Sequence, residues 1–404
     1  MNLKNNLLLG AVLATLGVYV QAETVDRVVV KLKPSLMMRS ASADDVKTSI
    51  RAATGGQATH TMTMGDGVSQ VLQLPKGLSG AALQAYLQKL QDSGEFESVE
   101  ADVWMYPKGV VQPNDGLWNS LWGMQAVLPG SSYGADFMGA WEYVTGQGVV
   151  VAVIDTGAVP HPDLGALTPV SGNYVSSGYS FISDCFRAGS CDISTTNRRI
   201  APIATALDQG DWCASNEVSV CGDAYNQPSS SSFHGSHVAG TIAALGYNNS
   251  GVIGGAYNAK LLPVRALGKG GGSAIDIADA IRWAAGVHPT IPNPNPAKVI
   301  NMSLGGASNT CPSFYQSAID DATNAGAIVV VAAGNEKKDA ALATPANCAN
   351  VITVAATGKA GEKASYSNFG SKVTLAAPGG NGSTLITSTV NMSLDRVDLS
   401  ANGS

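Results

Sequence analysis

An unbroken apolar run, VVVAVI at 149–154, carries the chain into Asp155-Thr156-Gly157. The run reads as a buried strand with a carboxylate at its carboxyl end, the position where parallel sheets bind ligands. Two chemistries use such an aspartate. In one, two D-T-G loops share a proton between paired carboxylates; in the other, a single aspartate orients a histidine. The first needs a second D-T/S-G loop after a strand, and the one other candidate, Asp92-Ser93-Gly94, follows the helical stretch LQAYLQKLQ. A homodimer could supply the second carboxylate, but protomers of that kind are small and β-rich.

Three further stretches carry chemistry-bearing residues. SSFHGSHVAGTIAAL (231–245) opens a helix with His234 and His237. A helical zinc site would follow H-E-x-x-H, and this stretch has no glutamate. Its small residues Ala239, Gly240, Ala243 and Ala244 let the helix lie close against a neighbour, which suits a histidine held rigidly beside a strand end. VINMSLGG (299–306) leaves an apolar strand through Ser303, Leu304, Gly305 and Gly306, whose backbone an extended peptide could pair with. VVVAAGNEKK (329–338) ends a strand on Asn335, a neutral donor suited to a developing oxyanion. Alone, the last two would pass for an ordinary strand exit and a turn asparagine.

These residues need a scaffold. The 404 residues are 45% hydrophobic with 46 glycines and a net charge of −6, enough for a large α/β core and more than one folding unit. The acidic balance excludes a polyanion-binding field, so nucleic acid is not a partner. MNLKNNLLLGAVLATLGVYVQAE has a Lys-bearing start, an apolar stretch over 7–20 and a small-residue site, which reads as a secretory signal (1–22) cleaved after Ala22. Residues 23–105 pattern as β-α-β-α-β, with room for another strand near 59–64 and an apolar helix face of Leu83, Tyr86, Leu87 and Leu90, so a ferredoxin-like α+β sandwich is expected. PKGVVQPNDG (107–116) is a joint. Beyond it, strands are expected at 149–154, 261–265, 298–302, 327–332, 351–355 and 372–376, several separated by helices. That pattern implies a doubly wound parallel sheet covered on both faces. Residues 171–232, rich in Ser, Gly and Cys, read as a stapled surface loop. Cys185, Cys191, Cys213, Cys221, Cys311 and Cys348 form an even set in an exported chain; sequence proximity suggests pairs 185–191, 213–221 and 311–348.

In chain order the four pieces run Asp155, His234, S-L-G-G and A-A-G-N. Together they resemble the subtilisin (S8) family of serine endopeptidases, in its secreted bacterial branch with cysteine-rich loops. The resemblance implies a subtilisin-like catalytic domain (111–404) behind an inhibitor-like propeptide (23–110). It implies that Asp155 orients His234, that His234 is the general base toward a serine, and that Asn335 donates to the oxyanion. Ser303, Leu304, Gly305 and Gly306 would form one wall of the substrate cleft, and Gly270, Gly271 and Gly272 the opposite wall. Glu336 would sit near the mouth of the S1 pocket and favour a basic or polar P1 residue; His237 would be a structural neighbour. The chemistry would need no cofactor. Partners would be protein or peptide substrates and the chain's own propeptide, with no membrane association after signal cleavage and a monomeric state.

Two features depart from the family. Its serine lies in G-T-S-M-A-x-P, and no such motif follows LAAPGG (375–380) in the closing NGSTLITSTVNMSLDRVDLSANGS. LITSTVN resembles the segment that precedes the serine turn. Gly382-Ser383-Thr384 lacks the Ala and Pro that should follow, and Ser404 has no helix behind it. The expectation is a truncated protease precursor that, made alone, is inactive and aggregates. The rivals are a peptide-binding pseudoprotease and an aspartic peptidase using Asp155. The second departure concerns calcium, common as a structural ion in the family: CDISTTNRRIAPIATALDQGDW holds few carboxylates, leaving Asp163 and Asp115 as candidates.

Overall fold

The structure, a computed structural model, describes residues 25–39, 42–102, 111–128, 130, 132–189, 202–221, 227–392 and 402–403. The signal segment 1–22, residues 103–110, Cys191 and Ser404 lie outside the described residues. The chain divides into two compact units, Met1–Pro107 and Lys108–Ser404.

The first unit runs β1 (Val25–Leu32), α1 (Pro34–Arg39), α2 (Ala43–Ala53), β2 (Thr59–Thr63), β3 (Ser69–Leu78), α3 (Gly80–Asp92) and β4 (Phe96–Ala101). Its antiparallel sheet has the order β2-β3-β1-β4, the ferredoxin-like arrangement. The core gathers Val28, Val30, Leu72, Leu90 and Phe96, with Tyr86 and Leu87 of α3 packed half-buried against it. α2 begins with a reciprocal capping box between Ser42 and Asp45, which satisfies two otherwise open N–H groups. Pro34 opens α1, because a helix's first residue needs no N–H partner.

The second unit contains α4 (Phe137–Trp141), β5 (Val150–Asp155), β6 (Tyr179–Ser180), α5 (Val218–Cys221), α6 (His234–Ala243), β7 (Lys260–Arg265), α7 (Ala274–Ala284), β8 (Val299–Met302), β9 (Gly306–Ala307), α8 (Ser313–Asn324), β10 (Ile328–Ala332), β11 (Ala343–Thr344), β12 (Val351–Thr357), β13 (Leu375–Pro378), β14 (Val390–Asn391) and β15 (Asn402–Gly403). Seven strands form one parallel sheet, ordered β13-β12-β10-β8-β5-β7-β6.

Alternation within β5 explains its unbroken apolar run. Ala152 and Ile154 join the core built with α7 and α8, while Val151 and Val153 join the core built with Ala239 and Ala243 of α6. Both faces are covered, so every position is apolar. The doubly wound reading therefore holds. Residues 171–232 are not wholly irregular: they supply the edge strand β6 and the short helix α5. A two-residue edge strand carries too little periodicity to be read from sequence. No helix among the described residues is long and apolar enough to cross a membrane.

Candidate active site

β5 ends at Asp155 and α6 begins at His234, and close glycine packing brings the two ends together. A methyl group on Gly235 would run into the Gly157 carbonyl oxygen and lie 3.2 Å from Asp155 Cβ, so only glycine lets the helix start this near the strand. Further along α6, Gly240 allows a second close approach, since a side chain there would collide with Ser388 and Thr389. Residues 386–389, within the LITSTVN stretch, lie along α6. Ser388 Oγ donates to the His237 carbonyl at 2.7 Å, and Thr389 Oγ1 to that of Ser236 at 2.8 Å.

His234 Nδ1 lies 2.8 Å from Asp155 Oδ1 and 2.9 Å from Oδ2. A carboxylate only accepts, so Nδ1 carries the proton and Nε2 is left as the basic nitrogen. Asp155 is fully buried and also accepts the Thr156 N–H at 2.7 Å, while the His234 side chain is 46% exposed. The hydrogen bond to Asp155 raises the His234 pKa above the ordinary imidazole value against the opposing effect of burial; the charges of Asp155, Asp211 and Asp208 add to the rise.

Two carboxylates that sequence reading passed over complete this network. Thr156 Oγ1 donates to Asp208 Oδ2 at 2.6 Å and accepts the Gly235 N–H at 3.0 Å, clamping the strand end to the helix start. Asp208 is fully buried, and burial pushes its pKa up to about 7, although Arg265 and the Thr156 and Gly210 hydrogen bonds pull it down. Arg265 Nε donates to the Thr156 carbonyl at 3.2 Å. Asp211 accepts both the N–H and the hydroxyl of Ser232, whose Oγ in turn accepts the His234 N–H at 3.2 Å. The D-x-x-D spacing of Asp208 and Asp211, between the β5 aspartate and the histidine helix in the chain, was the available signal.

His234 lines a cleft of about 770 Å³. Ser303, Leu304, Gly305 and Gly306 line it, as do Gly270, Gly271 and Gly272, so the two expected walls share one space with the histidine. An adjoining pocket of about 280 Å³ shares the 303–306 wall and is lined by Asn335 and Glu336. Asn335 is exposed there. Glu336 Oε2 accepts from Asn368 Nδ2 at 2.7 Å, which pins the carboxylate at this pocket. His237 instead places Nε2 3.2 Å from the Ile386 carbonyl, and burial lowers its pKa.

Cys213–Cys221 and Cys311–Cys348 are disulfides. Cys185 is also disulfide-bonded, and its suggested partner Cys191 lies outside the described residues. Of the two calcium candidates, Asp163 accepts from Asn248 Nδ2 at 2.9 Å and from the Val252 N–H at 2.8 Å. Asp115 accepts the Tyr247 N–H at 3.0 Å and keeps one buried oxygen without a hydrogen bond; burial raises its pKa. Among the described residues, no three His, Cys, Asp or Glu side chains gather as metal ligands.

A model of the subtilase family matches residues 146–402. The chain is 40% identical over 382 residues to an extracellular protease of Xanthomonas campestris pv. campestris, covering 92% of this chain and 60% of that protein. It is 39% identical over 368 residues to an extracellular basic protease of Dichelobacter nodosus, covering 89% of this chain and 57% of the relative. The chain thus spans well under two thirds of the length of either relative. A solved structure of a protease from Pseudoalteromonas arctica superposes with a TM-score of 0.63 at 42% identity, covering 72% of this chain and 80% of that one.

Proposed function

The chain belongs to the subtilase family, and from that premise we propose that it is the precursor of a secreted serine endopeptidase whose acid–base pair is Asp155 and His234. The observation that carries this reading is the bond from His234 Nδ1 to a buried carboxylate at the end of a two-walled cleft. In the proposed reaction, Nε2 takes the proton of a serine hydroxyl as that oxygen attacks the scissile carbonyl, and then returns it to the leaving amine. Asp155 holds the tautomer and stabilises the imidazolium. The Asn335 side-chain amide donates to the tetrahedral oxyanion. The substrate backbone lies between the 303–306 and 270–272 segments, and Glu336 favours a basic or polar P1 side chain. No step uses a metal or organic cofactor. The nucleophile of this reaction is a serine of the G-T-S-x-A-x-P type, a motif that residues 1–404 do not contain.

Residues 23–110 are proposed to be a propeptide that assists folding and blocks the cleft until it is cut away, leaving a monomeric enzyme acting on proteins or peptides. Disulfides and the extracellular relatives support export behind a cleaved signal.

The test is to sequence the gene past codon 404, express the whole product and treat it with a fluorophosphonate. The expected result is one labelled serine in G-T-S-x-A-x-P, with labelling abolished in His234→Ala. A stop codon at that point with a stable, peptide-binding product would replace the enzyme with a pseudoprotease. Inhibition by pepstatin and no labelling would replace it with paired-aspartate chemistry.

A further inference from the structure

Lys269 is 5% exposed, unusual for a lysine, which is seldom buried without a partner. It sits inside the LGKGGGS segment, yet Gly268, Gly270, Gly271 and Gly272 line the cleft and Lys269 does not. Its side chain points away, into the stapled segment 212–221. There Nζ lies 2.9 Å and 3.1 Å from the two Glu217 carboxylate oxygens and 3.8 Å above the Trp212 ring. Burial pushes the Glu217 pKa up, but the Lys269 hydrogen bond and charge and the Ala214 N–H outweigh it, leaving the carboxyl below its ordinary range. Glu217 also caps the segment through the Ala214 N–H at 3.2 Å, between the two cysteines of the Cys213–Cys221 disulfide.

The backbone of the same wall is gripped from this side. The Lys269 N–H donates to the Arg187 carbonyl at 3.1 Å, and Arg187 Nη1 donates back to the carbonyls of Lys269 and Gly270. Side chains at Gly268 and Gly270 would collide with the carbonyl oxygens of Arg187 and Cys221. The wall is therefore seated directly on the stapled loop, with no intervening layer.

We propose that Lys269 is a positioning residue for substrate: with Glu217, Trp212 and the Cys213–Cys221 staple it braces the 268–272 wall, and so tunes affinity for extended peptides without touching them. The inference rests on the peptidase reading of the cleft. Its mechanism is preorganisation: a wall already held in its binding conformation loses less conformational freedom when a peptide pairs along it.

Three variants of the full gene product test this: Lys269→Met, Glu217→Gln, which keeps an acceptor for the lysine, and Cys213→Ala/Cys221→Ala. Each is assayed with a peptide long enough to fill the cleft and with a single-residue ester that does not reach the wall. Amide exchange is followed at Lys269 and Gly271. Lys269→Met is expected to raise KM for the long peptide about tenfold with kcat and ester hydrolysis within about twofold, because the interaction is made in ground and transition states alike. Exchange at the two amides should speed up in parallel. The double cysteine variant should behave in the same way and Glu217→Gln more mildly. Wild-type KM and wild-type exchange in Lys269→Met would overturn the proposal. If Lys269→Met does not fold, the same pair of measurements on the other two variants decides the matter. If the unmodified protein cleaves neither substrate, the peptidase reading fails, and unchanged exchange at Lys269 and Gly271 would separately sink the brace.

Discussion

Removing the Cys311–Cys348 bridge should cost this protein more stability than removing Cys213–Cys221, and loop closure sets the difference. The first bridge spans 37 positions and the second 8. In the chain-entropy treatment, opening them releases about 4 and about 2.5 kcal/mol of unfolded-state freedom at 25 °C. The longer bridge also joins two segments beside the cleft wall: β9 pairs with β11, and Asn347 Nδ2, next to Cys348, donates to the Ser308 carbonyl at 2.9 Å. The perturbation is the pair Cys311→Ala/Cys348→Ala against Cys213→Ala/Cys221→Ala, both in a His234→Ala background that suppresses self-digestion. The assay is equilibrium unfolding in urea followed by circular dichroism. For a denaturant slope of about 3 kcal/mol/M, the midpoint should fall by roughly 1.3 M for the long bridge and roughly 0.8 M for the short one. A larger loss from the short bridge, or equal losses, would refute loop closure as the governing term and place the energy in native contacts instead.

Three other predictions concern the acid–base pair. Asp155→Asn should lower kcat about 10⁴-fold with the fold intact, since an amide no longer fixes the imidazole tautomer; a loss under tenfold would remove Asp155 from the mechanism. Because the Asp155 hydrogen bond raises the His234 pKa and the proposed reaction uses the neutral imidazole as base, the acid limb of kcat/KM should lie above about pH 6.5, and an acid limb below that value would contradict the proposal. Gly235→Ala should cut kcat about 10²-fold by pushing the start of α6 off the Gly157 carbonyl, with near-wild-type far-UV circular dichroism; unchanged kcat would mean the close approach is not needed.

A further prediction links pH to folding. Asp208 has a folded pKa of about 7 against an unfolded value near 3.8. The native state thus binds a proton more tightly than the unfolded one, so the carboxyl's stabilising contribution is full below about pH 3.8 and is lost as pH rises through about 7. Asp208→Asn should flatten the stability profile across that interval in pH-stepped urea melts. A variant whose profile keeps the wild-type slope would show that another group carries it.

Much of this molecule is legible in its amino-acid order. The β5 run reads as a strand buried on both faces because Val151 and Val153 meet one helical layer while Ala152 and Ile154 meet the other. The small residues after His237 announce a close approach that Gly240 carries out, while the tighter approach at Gly235 is visible only in the structure. Such features recur with the period of a strand or helix, so local burial writes them into the chain. Asp208, Asp211 and Lys269 are not legible in that way. Asp208 and Asp211 lie in a loop segment without period, and Lys269 is a single charge among glycines; what each does depends on partners 52 residues away for Thr156–Asp208 and Glu217–Lys269, and 21 for Asp211–Ser232. Strand order in the sheet, the seating of the 268–272 wall on the Cys213–Cys221 segment, and the ionisation of buried carboxyls were likewise decided by tertiary structure. The physical reason is the same in each case: a loop residue's burial and charge environment are set by long-range packing, which leaves no periodic trace in the sequence.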